Sequence, residues 1–345
     1  MDVSIIVPIY NGELYINRCF QSIINQTAIT QLKIEVCVCN DASIDNTKTL
    51  LAEWSQRLCD KNVHLLVYEN KTKKPRGVGY SKNKAVMISR GEYLCFQDVD
   101  DVMLPNRVLN QYQRAVLEPK NTIVGSKFER LPLNSTVRYT AWANNVTNLE
   151  MQIYTSHGPT IIMPTWFCHR FAFDKINGFV EYGTGTPEDL IFFYKHLDYG
   201  GRLCRVNEVL LTYYYNPNAA TFSIHENTIW NLRLERLQRE VLSKWLEFTI
   251  WNAGKQGRKF YRSLTKENKC KVKAMCDVDV NLIGKTYAPY DPKTRTVERA
   301  INIITFRNAI PPIIICVKMD LTNGEFERNL KSLNLIEDKD YVYFS

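Results

Sequence analysis

The sequence has no long apolar run and no cysteine pattern typical of a metal site. Its ten cysteines include no Cys-x-x-Cys pair and no close Cys/His spacing. Four of them, Cys37, Cys39, Cys95 and Cys316, lie within apolar segments that resemble strands. This placement indicates reduced cysteines in the core of a cytosolic chain rather than a disulfide framework.

Targeting signals are also missing. Residues 1–8 enter a strand-like segment at once, without a basic segment or a cleavage site, and no apolar stretch is long enough to span a bilayer. We therefore expect a cytoplasmic protein with no membrane partner. Four Asn-x-Ser/Thr sequons are then interpreted as chance matches that never meet the glycosylation machinery; they begin at Asn25, Asn70, Asn134 and Asn145.

Composition and charge indicate a folded chain with a basic surplus. With 345 residues, 45% of them hydrophobic, the chain is long enough for two compact domains. Its 44 basic and 36 acidic residues leave a net charge of +8. Such a surplus suits a polyanionic partner without requiring one.

Strand and helix patterns alternate from the start of the chain, which predicts a doubly wound α/β sheet. Such sheets bind ligands at the carboxyl ends of their strands. Three polar segments follow predicted strands and should share one edge: Pro8-Ile9-Tyr10-Asn11, Asn40-Asp41-Ala42-Ser43 and Asp98-Val99-Asp100-Asp101. The predicted strands are 4–9, 33–39, 64–68 and 93–96, and the predicted helices are 14–25, 46–58 and 79–89.

The carboxylates at residues 98–101 are the most informative of these polar segments. Several carboxylates at the edge of a sheet repel one another unless a cation lies between them, and a hard divalent cation is the simplest candidate. A metal-bound diphosphate would fit there. The alternative is a solvated acidic turn before the helix that Pro105 opens.

These segments, in this order, resemble the GT-A nucleotide-diphospho-sugar transferases of glycosyltransferase family 2. The resemblance covers roughly residues 1–220 and includes two more motifs, Arg76–Asn83 and Pro187–Leu190. It implies a UDP-sugar donor and a Mn²⁺ or Mg²⁺ ion that stabilises the departing diphosphate. The residues it implies for nucleotide-sugar binding are Pro8, Tyr10, Asn11, Asp41, Arg76, Lys82, Asp98 and Asp100, with Asp100 as the metal ligand.

The same resemblance assigns the acid pair after Pro187 to catalysis. It implies Asp189 as the general base that takes the acceptor proton during inverting transfer, and Glu188 as an acceptor ligand or support. The segment also describes an ordinary helix start, with Thr186 as the N-cap and Pro187 at the first helical position. Many members of the family carry a metal-approaching His where this sequence has Asn216, which puts a third protein ligand in doubt.

Two further positions have structural alternatives. Asp45 fits a helix N-cap better than a ligand, because a helical pattern begins directly after it. Tyr10-Asn11-Gly12 is also compatible with a simple turn. His225 could replace the missing His, but a lone His is usually a surface or packing residue, and we leave it out of the metal set.

A second α/β unit follows an amphipathic helix predicted at 228–246. Its turn at residues 252–257 resembles the phosphate-binding turn of a half-Rossmann unit, with Asn252 in place of the first glycine. We favour a structural or substrate-orienting role and expect no NAD. The predicted strands are 247–251, 271–276 and 312–317, and the predicted helix is 258–264.

Eight basic residues and one acid lie between Lys255 and Lys273. A solvated helix face is the ordinary explanation of such a run. Phe260, Tyr261 and the preceding Trp251 interleave with it, however, and a basic surface that holds aromatic rings suits RNA phosphates and unstacked bases.

The whole chain resembles one narrower family, the queuosine-tRNA galactosyltransferases, formerly labelled β-1,3-N-acetylglucosaminyltransferase-like. The segments that carry this resemblance include residues 76–80, 100–103, 158–168 and 248–258. It implies transfer of galactose from UDP-galactose to queuosine at the wobble position of cytosolic tRNA-Tyr. The acceptor candidates are Trp166, His169, Lys255, Arg258, Lys259 and Arg262, although core packing explains Trp166 equally well.

Three alternatives stay open at this stage. One is a family 2 hexosyl- or N-acetylglucosaminyltransferase that acts on a glycan or a protein. Another is a different sugar, because none of these motifs contacts the 4-hydroxyl of the sugar, and the third is a non-catalytic UDP-sugar or RNA-binding module. The predicted organisation is a GT-A catalytic domain at 1–225, a connecting helix at 226–246 and a smaller Rossmann-like α/β domain at 247–345.

Overall fold

The computed structural model describes residues 1–153, 158–216, 223–291, 295–317 and 322–344. The chain divides into two compact units, the first formed by residues 1–153 and 159–228 and the second by residues from Ile229 onward. Within the described residues, no helix is both long and apolar enough to cross a membrane.

The first unit is built on an eight-stranded mixed sheet in the order β3-β2-β1-β4-β7-β6-β8-β5. Strands β1 to β4 run parallel, and β7 pairs antiparallel with both β4 and β6. The strands are β1 (Val3–Ile9), β2 (Ile34–Asn40), β3 (His64–Glu69), β4 (Tyr93–Phe96), β5 (Val102–Met103), β6 (Thr122–Leu131), β7 (Phe167–His169) and β8 (Arg202–Tyr214).

Helices cover this sheet, and the predicted α/β fold is confirmed. The buried side chains of the first two helices, among them Phe20 and Trp54, pack against the apolar residues of β1 and β2 in one core. The helices are α1 (Ile16–Ile24), α2 (Thr47–Cys59), α3 (Val78–Ile88), α4 (Arg107–Ala115), α5 (Val137–Asn145), α6 (Asn148–Ile153), α7 (Arg170–Lys175) and α8 (Glu188–Asp198).

The register of the central strands brings the three polar segments to one edge. β1 lies between β2 and β4, with Ile9 opposite Asn40 and Ile6 opposite Phe96. Because parallel strands advance by the same rise per residue, Asp98, two residues beyond Phe96, comes level with Pro8. The backbone therefore places the carboxylates beside the ends of β1 and β2.

The second unit has a six-stranded sheet in the order β11-β14-β10-β9-β15-β16. Its five parallel strands follow the Rossmann order 3-2-1-4-5, and β11 is antiparallel at the edge. The elements are α9 (Glu226–Leu237) with a π-helical turn (Gln238–Leu242), β9 (Phe248–Trp251), α10 (Lys255–Ser263), α11 (Lys266–Cys270), β10 (Val272–Asp277), β11 (Thr286–Tyr287), β12 (Tyr290–Asp291), β13 (Thr296–Val297), β14 (Ile301–Thr305), β15 (Ile313–Ile315), α12 (Glu325–Lys331) and β16 (Tyr341–Tyr343).

The turn between β9 and α10 explains how Asn252 replaces a glycine. Asn252 has a φ of 121°, a conformation that favours glycine, and its side-chain oxygen accepts a hydrogen bond from the Gly254 amide. A Cβ on Gly257 would lie 1.7 Å from the Asn252 carbonyl oxygen, so the helix and strand approach closely only with glycine there. These bonds start α10 at Lys255, three residues earlier than predicted.

The cysteines are divided sharply by burial. Eight of the ten are buried, including the four that the sequence placed in the core, and Cys59 and Cys270 are exposed. All ten are free thiols, as predicted. Burial raises the pKa of the Cys39 thiol to about 12, so this buried thiol stays protonated and unreactive near neutral pH.

Candidate functional site

A cavity of about 460 Å³ lies at the carboxyl ends of β1, β2 and β4 in the first unit. Five acidic side chains line it, and Lys82 is the one basic side chain among its described lining residues. The cavity brings together eight of the predicted site residues: Pro8, Tyr10, Asp41, Lys82, Asp98, Asp100, Glu188 and Asp189.

Asp41 organises one wall of this cavity. Its buried carboxylate accepts hydrogen bonds from the Asn70 amide group at 2.7 Å and from the backbone amides of Arg76 and Gly77 at 2.8 and 2.9 Å. These bonds hold the segment from Asn70 to Gly77 against the end of β2. A carboxylate can accept further hydrogen bonds, so Asp41 can also accept one from a nucleobase.

Two predicted binding residues do not line the cavity. The Arg76 guanidinium lies over the Tyr80 ring at 4.1 Å and 3.7 Å from Glu181. Asn11 has a φ of 51°, and its side-chain oxygen accepts a hydrogen bond from the Ile44 amide. Asn11 thus serves the turn that the sequence offered as its alternative, and neither side chain is among the residues that line the cavity.

Asp45 also has a structural role. Its carboxylate accepts hydrogen bonds from the backbone amides of Thr47 and Glu13, at 3.1 and 3.0 Å. The first bond satisfies a free amide at the start of α2, as the N-cap alternative predicted, although the cap position itself is Asn46. Asp45 does not line the cavity.

The three carboxylates that follow β4 differ in burial and in hydrogen-bond partners. Burial, opposed by Lys82, raises the pKa of Asp98 to about 6. Burial also raises the pKa of Asp100, whose carboxylate interacts with Asn216. Asp101 is buried outside the cavity lining, where it accepts a hydrogen bond from the Tyr214 amide at 3.0 Å. Asp98 and Asp100 are half-buried in the cavity lining and Asp101 is buried, so none of the three is a fully exposed carboxylate of a solvated turn.

Asp98 and Asp100 fit a hard divalent cation. The structure gives the Asp98 carboxylate no hydrogen-bond donor from any described residue, and both carboxylates face a cavity whose charged lining residues are five acids and one lysine. Within the described ranges, no three His, Cys, Asp or Glu side chains are close enough to form a metal site by themselves. This chemistry suits an ion held by one or two carboxylates together with substrate phosphates.

Lys82 and Glu188 form a buried ion pair across the cavity floor. The Lys82 ammonium donates to the Glu188 carboxylate at 2.8 Å, and both side chains are almost completely buried. Burial alone would lower the pKa of Lys82, but the charges of Glu188, Asp98 and Asp189 raise it above its ordinary value. Lys82 therefore stays charged, and it holds Glu188 in place beside Asp189.

The buried pair predicts a large effect on stability. We expect Lys82→Met to lower the free energy of unfolding by about 3–5 kcal/mol, because Glu188 is left buried without a counter-charge. The double variant Lys82→Met/Glu188→Leu should recover most of that loss. Chemical denaturation measures both values. Lys84→Met, on the same helix, is the matched control and should cost about 1 kcal/mol or less; an equal loss in the single and double variants would contradict the expectation.

Asp189 lies in the first turn of α8 and lines the cavity. Burial and the adjacent Glu188 charge raise its pKa to about 6. One carboxylate oxygen accepts a hydrogen bond from the Leu190 amide at 2.7 Å. The helix begins at Glu188 with Pro187 in the cap position, so the predicted Thr186 cap is wrong by one residue.

The first turn of α3 meets the segment that leads into α8. A Cβ on Gly79 would lie 2.2 Å from the Val180 carbonyl oxygen and 3.2 Å from the Glu188 Cβ. Asn83 bonds the same segment, donating to the Phe179 carbonyl oxygen at 2.8 Å and to Glu181 at 2.9 Å. The Arg76–Asn83 motif and the acid pair are thus packed against each other.

Some cavity residues were not predicted. Tyr15, Tyr213 and Asn216 line it, and the Asn216 side chain donates to the Tyr15 hydroxyl at 3.2 Å. Asn216 was noted only as a departure from the usual His. Asn216 follows the end of the long strand β8, at the same edge of the sheet as the carboxylates. This position in the sequence could have predicted that it lines the cavity.

Both acceptor candidates between the acid motifs are outside the cavity lining. Trp166 is 1% exposed, packs against Phe192 and Phe193, and donates from its indole nitrogen to the Ile161 carbonyl oxygen. Its ring has no face available for stacking on an acceptor, so the core-packing alternative is the one that the structure shows.

His169 is at the opposite end of the sheet. It pairs with Tyr93, the first residue of β4, and Asp98 follows the other end of that strand. At about 3.3 Å per residue this places His169 some 15 Å from the carboxylates along the strand direction. Its side chain accepts a hydrogen bond from the Phe171 amide at the start of α7, and a direct contact with an acceptor in the cavity is contradicted.

The other four acceptor candidates belong to α10 in the second unit. Arg258 donates to the Ala253 carbonyl oxygen and lies over the Tyr287 ring. Lys259 lies over the Trp230 ring at 4.1 Å. Arg262 donates to the Tyr287 hydroxyl, and Lys255 is exposed at the start of the helix.

Comparison with known proteins gives one family match and several partial relatives. The model of "Glycosyl transferase family 2" matches residues 4–176. The chain is 29% identical over 126 residues to "Glycosyltransferase GlyG" of Streptococcus pneumoniae serotype 4, which covers 36% of this chain and 39% of that protein. It is 41% identical over 106 residues to "Chondroitin synthase" of Escherichia coli, covering 31% of this chain and 14% of that one. The chain thus spans well under half of either relative.

Solved structures show the same fold at low identity. Residues 1–349 of S. aureus TarS in complex with UDP superpose with a TM-score of 0.52 and 17% identity, covering 78% of this chain and 77% of that one. The same protein in complex with UDP-GlcNAc gives a TM-score of 0.51 at 18% identity, covering 77% of this chain and 71% of that one. At this identity the likeness concerns the fold alone.

Proposed function

The chain belongs to glycosyltransferase family 2, and we propose on that basis that it is an inverting galactosyltransferase that acts on RNA in the cytoplasm. The donor is UDP-galactose. The acceptor is queuosine at the wobble position of cytosolic tRNA-Tyr, and galactose is transferred to a hydroxyl of its cyclopentene ring.

The observation that carries this proposal is the single cavity that holds both acid motifs. Asp98 and Asp100 follow β4, Glu188 and Asp189 begin α8, and Lys82 lies among them. A glycosyl transfer needs charge stabilisation at the leaving diphosphate and a base at the attacking hydroxyl. Asp98 and Asp100 would hold a divalent cation that stabilises the leaving diphosphate, and Asp189 is the base.

On the donor side, Pro8, Tyr10 and Asp41 frame the uracil, and Asp98 binds the ribose. The UDP and UDP-GlcNAc complexes of TarS support a UDP-sugar as the donor class. Asp100, with Asp98 beside it, would hold Mn²⁺ or Mg²⁺. Such an ion, when bound, neutralises negative charge on the leaving diphosphate.

On the acceptor side, Asp189 takes the proton of the attacking hydroxyl. The new bond forms between that oxygen and the anomeric carbon while the bond to UDP breaks, which inverts the configuration. A base with a pKa of about 6 is largely ionised at neutral pH yet more basic than an ordinary Asp. Lys82 fixes Glu188 so that Asp189, rather than its neighbour, faces the acceptor.

The choice of RNA as acceptor rests on other features. The resemblance to the queuosine-tRNA galactosyltransferases extends through the second unit, beyond the family match that ends at residue 176. The wobble base already lies in a single-stranded loop, so little base pairing must be broken to reach it. A glycan acceptor is the second candidate, because the similarity to chondroitin synthase favours it.

One experiment separates these functions. The protein is incubated with Mn²⁺, a panel of UDP- and GDP-sugars, and tRNA with or without queuosine, and nucleosides are analysed by mass spectrometry. We expect one hexose on queuosine with UDP-galactose alone, and none on tRNA that lacks queuosine. Transfer to a free oligosaccharide with no change in the tRNA would replace this function by the glycan alternative.

A further inference from the structure

Four basic side chains form one ridge along α10. They occupy positions i, i+3, i+4 and i+7 of the helix, which place them on a single face about 10 Å long. We refer to Lys255, Arg258, Lys259 and Arg262 as the basic ridge. The opposite face carries Gly257, Phe260 and Tyr261, which are buried in the core of the second unit.

The ridge differs from the basic residues that follow it in the sequence. Lys269, Lys271 and Lys273 each lie within 4 Å of a carboxylate, those of Glu298, Glu267 and Glu247 respectively. In the part of the chain that the structure describes, Lys255, Arg258 and Arg262 have no carboxylate within that distance. Three lysines of the later run are thus paired with acids, whereas Lys255, Arg258 and Arg262 of the ridge are not.

The net charge is concentrated in the same unit. Residues 229–345 contain 21 basic and 14 acidic side chains, a net charge of +7 out of the +8 of the whole chain. The first unit is almost neutral, although its cavity lining is acidic. A polyanion would therefore be attracted to the second unit rather than to the rest of the chain.

The ridge is also electrostatically unfavourable without a partner. Like charges three and four residues apart repel one another, and the first turn of α10 contains no acidic residue of its own, although Asp277 accepts a hydrogen bond from the Ala253 amide before the helix. Arg258 lies over the Tyr287 ring, and Lys259 lies over the Trp230 ring. An anionic ligand would relieve this repulsion.

We propose that the basic ridge binds the sugar-phosphate backbone of the acceptor RNA. Arginine and lysine spaced along one helix face can contact successive phosphates, and this contact is independent of base sequence. A membrane surface fits less well, because an interfacial helix presents apolar side chains to the lipid and those of α10 are buried. This inference rests on the proposed RNA acceptor, and it assigns RNA affinity to α10.

The test measures binding without transfer. A fluorescently labelled anticodon stem-loop transcript that lacks queuosine is titrated with the full chain, and anisotropy gives the Kd at salt concentrations from about 50 to about 200 mM. Lys255→Gln/Arg262→Gln should weaken binding about tenfold and reduce the slope of log Kd against log salt by about 1.5–2. The matched control, Lys331→Gln/Lys339→Gln, removes two exposed charges from the same unit and should change neither.

The outcomes separate this inference from the proposed function. Equal losses in the ridge and control variants, or no RNA binding by the unaltered chain, would overturn the ridge assignment even if queuosine is galactosylated. Loss of binding to phosphatidylserine vesicles with unchanged RNA affinity would overturn it in favour of a membrane. RNA binding that depends on the ridge supports it, and the mass spectrometric assay decides separately whether a hexose is transferred.

Discussion

Asp189→Asn should lower kcat for hexose transfer by about 10²–10⁴-fold, the range associated with loss of a general base. The amide keeps the size of the side chain and can still accept from the Leu190 amide, so folding should change little. UDP affinity should stay near that of the unaltered enzyme, because the acceptor proton is not involved in donor binding. Steady-state rates with queuosine-containing tRNA, together with calorimetric UDP titration, measure both quantities.

The control for this variant is Asp174→Asn, which removes an exposed carboxylate from α7. It should leave kcat unchanged. If Asp189→Asn retained more than about a tenth of the activity, the base would have to be another group, and Glu188→Gln would be the next variant to assay.

The pH dependence of the unaltered enzyme follows from the same carboxylate. Burial and Glu188 raise the pKa of Asp189 to about 6, and the base works only when it is deprotonated. We therefore expect kcat/KM to fall as the pH drops through about 6 and to level off above it, rather than near pH 4 as for an ordinary Asp. A profile that stays flat down to pH 5 would contradict this assignment.

Asp100→Asn should lower kcat/KM by about 10²–10³-fold, since metal stabilisation of a leaving group contributes several kcal/mol. The loss comes with weaker metal binding. Electron paramagnetic resonance of free Mn²⁺, titrated with protein and UDP, reports that binding without any turnover. Asp60→Asn, which alters an exposed acid at the end of α2, is the control and should bind Mn²⁺ and UDP as before.

An Asp100→Asn variant with unchanged Mn²⁺ affinity would remove Asp100 from the metal site. Asp98→Asn would then be the informative variant, because that carboxylate has no hydrogen-bond donor in the described structure and shares the cavity. Loss of metal binding in that variant alone would move the ligand role to Asp98.

Much of the fold was predictable because it depends on local patterns. The strand predicted at 93–96 is β4 itself, and the helix predicted at 79–89 differs from α3 by one residue at each end. Alternating apolar residues and turn residues carry that information along the chain. The order of motifs then predicts a shared edge, because parallel strands end on the same side of a sheet.

Other parts of the site depend on contacts between distant residues. Lys82 was predicted to bind the nucleotide-sugar, and its partner in the structure is Glu188, 106 residues away, with no local pattern that links the two. Arg76 was also predicted to bind the nucleotide-sugar, but in the structure its backbone amide donates to Asp41 and its guanidinium lies over the Tyr80 ring. Side-chain direction of this kind is set by tertiary packing.

The acceptor role predicted for Trp166 depended on tertiary packing in the same way. Trp166 lies between two acid motifs in the sequence, which suggested an acceptor contact, yet it packs with two Phe residues of α8. A Trp has enough apolar area to favour the core whenever a neighbouring helix can cover it. Only the position of α8 decides between the two roles.

The division of the cysteines gives each unit one native attachment point. Cys59 at the end of α2 and Cys270 at the end of α11 are the two exposed thiols, one in each unit, and the other eight are buried. Maleimide dyes should therefore label these two positions without any engineered cysteine. Single-molecule energy transfer between the dyes would then follow the separation of the two units as UDP-sugar and RNA are added.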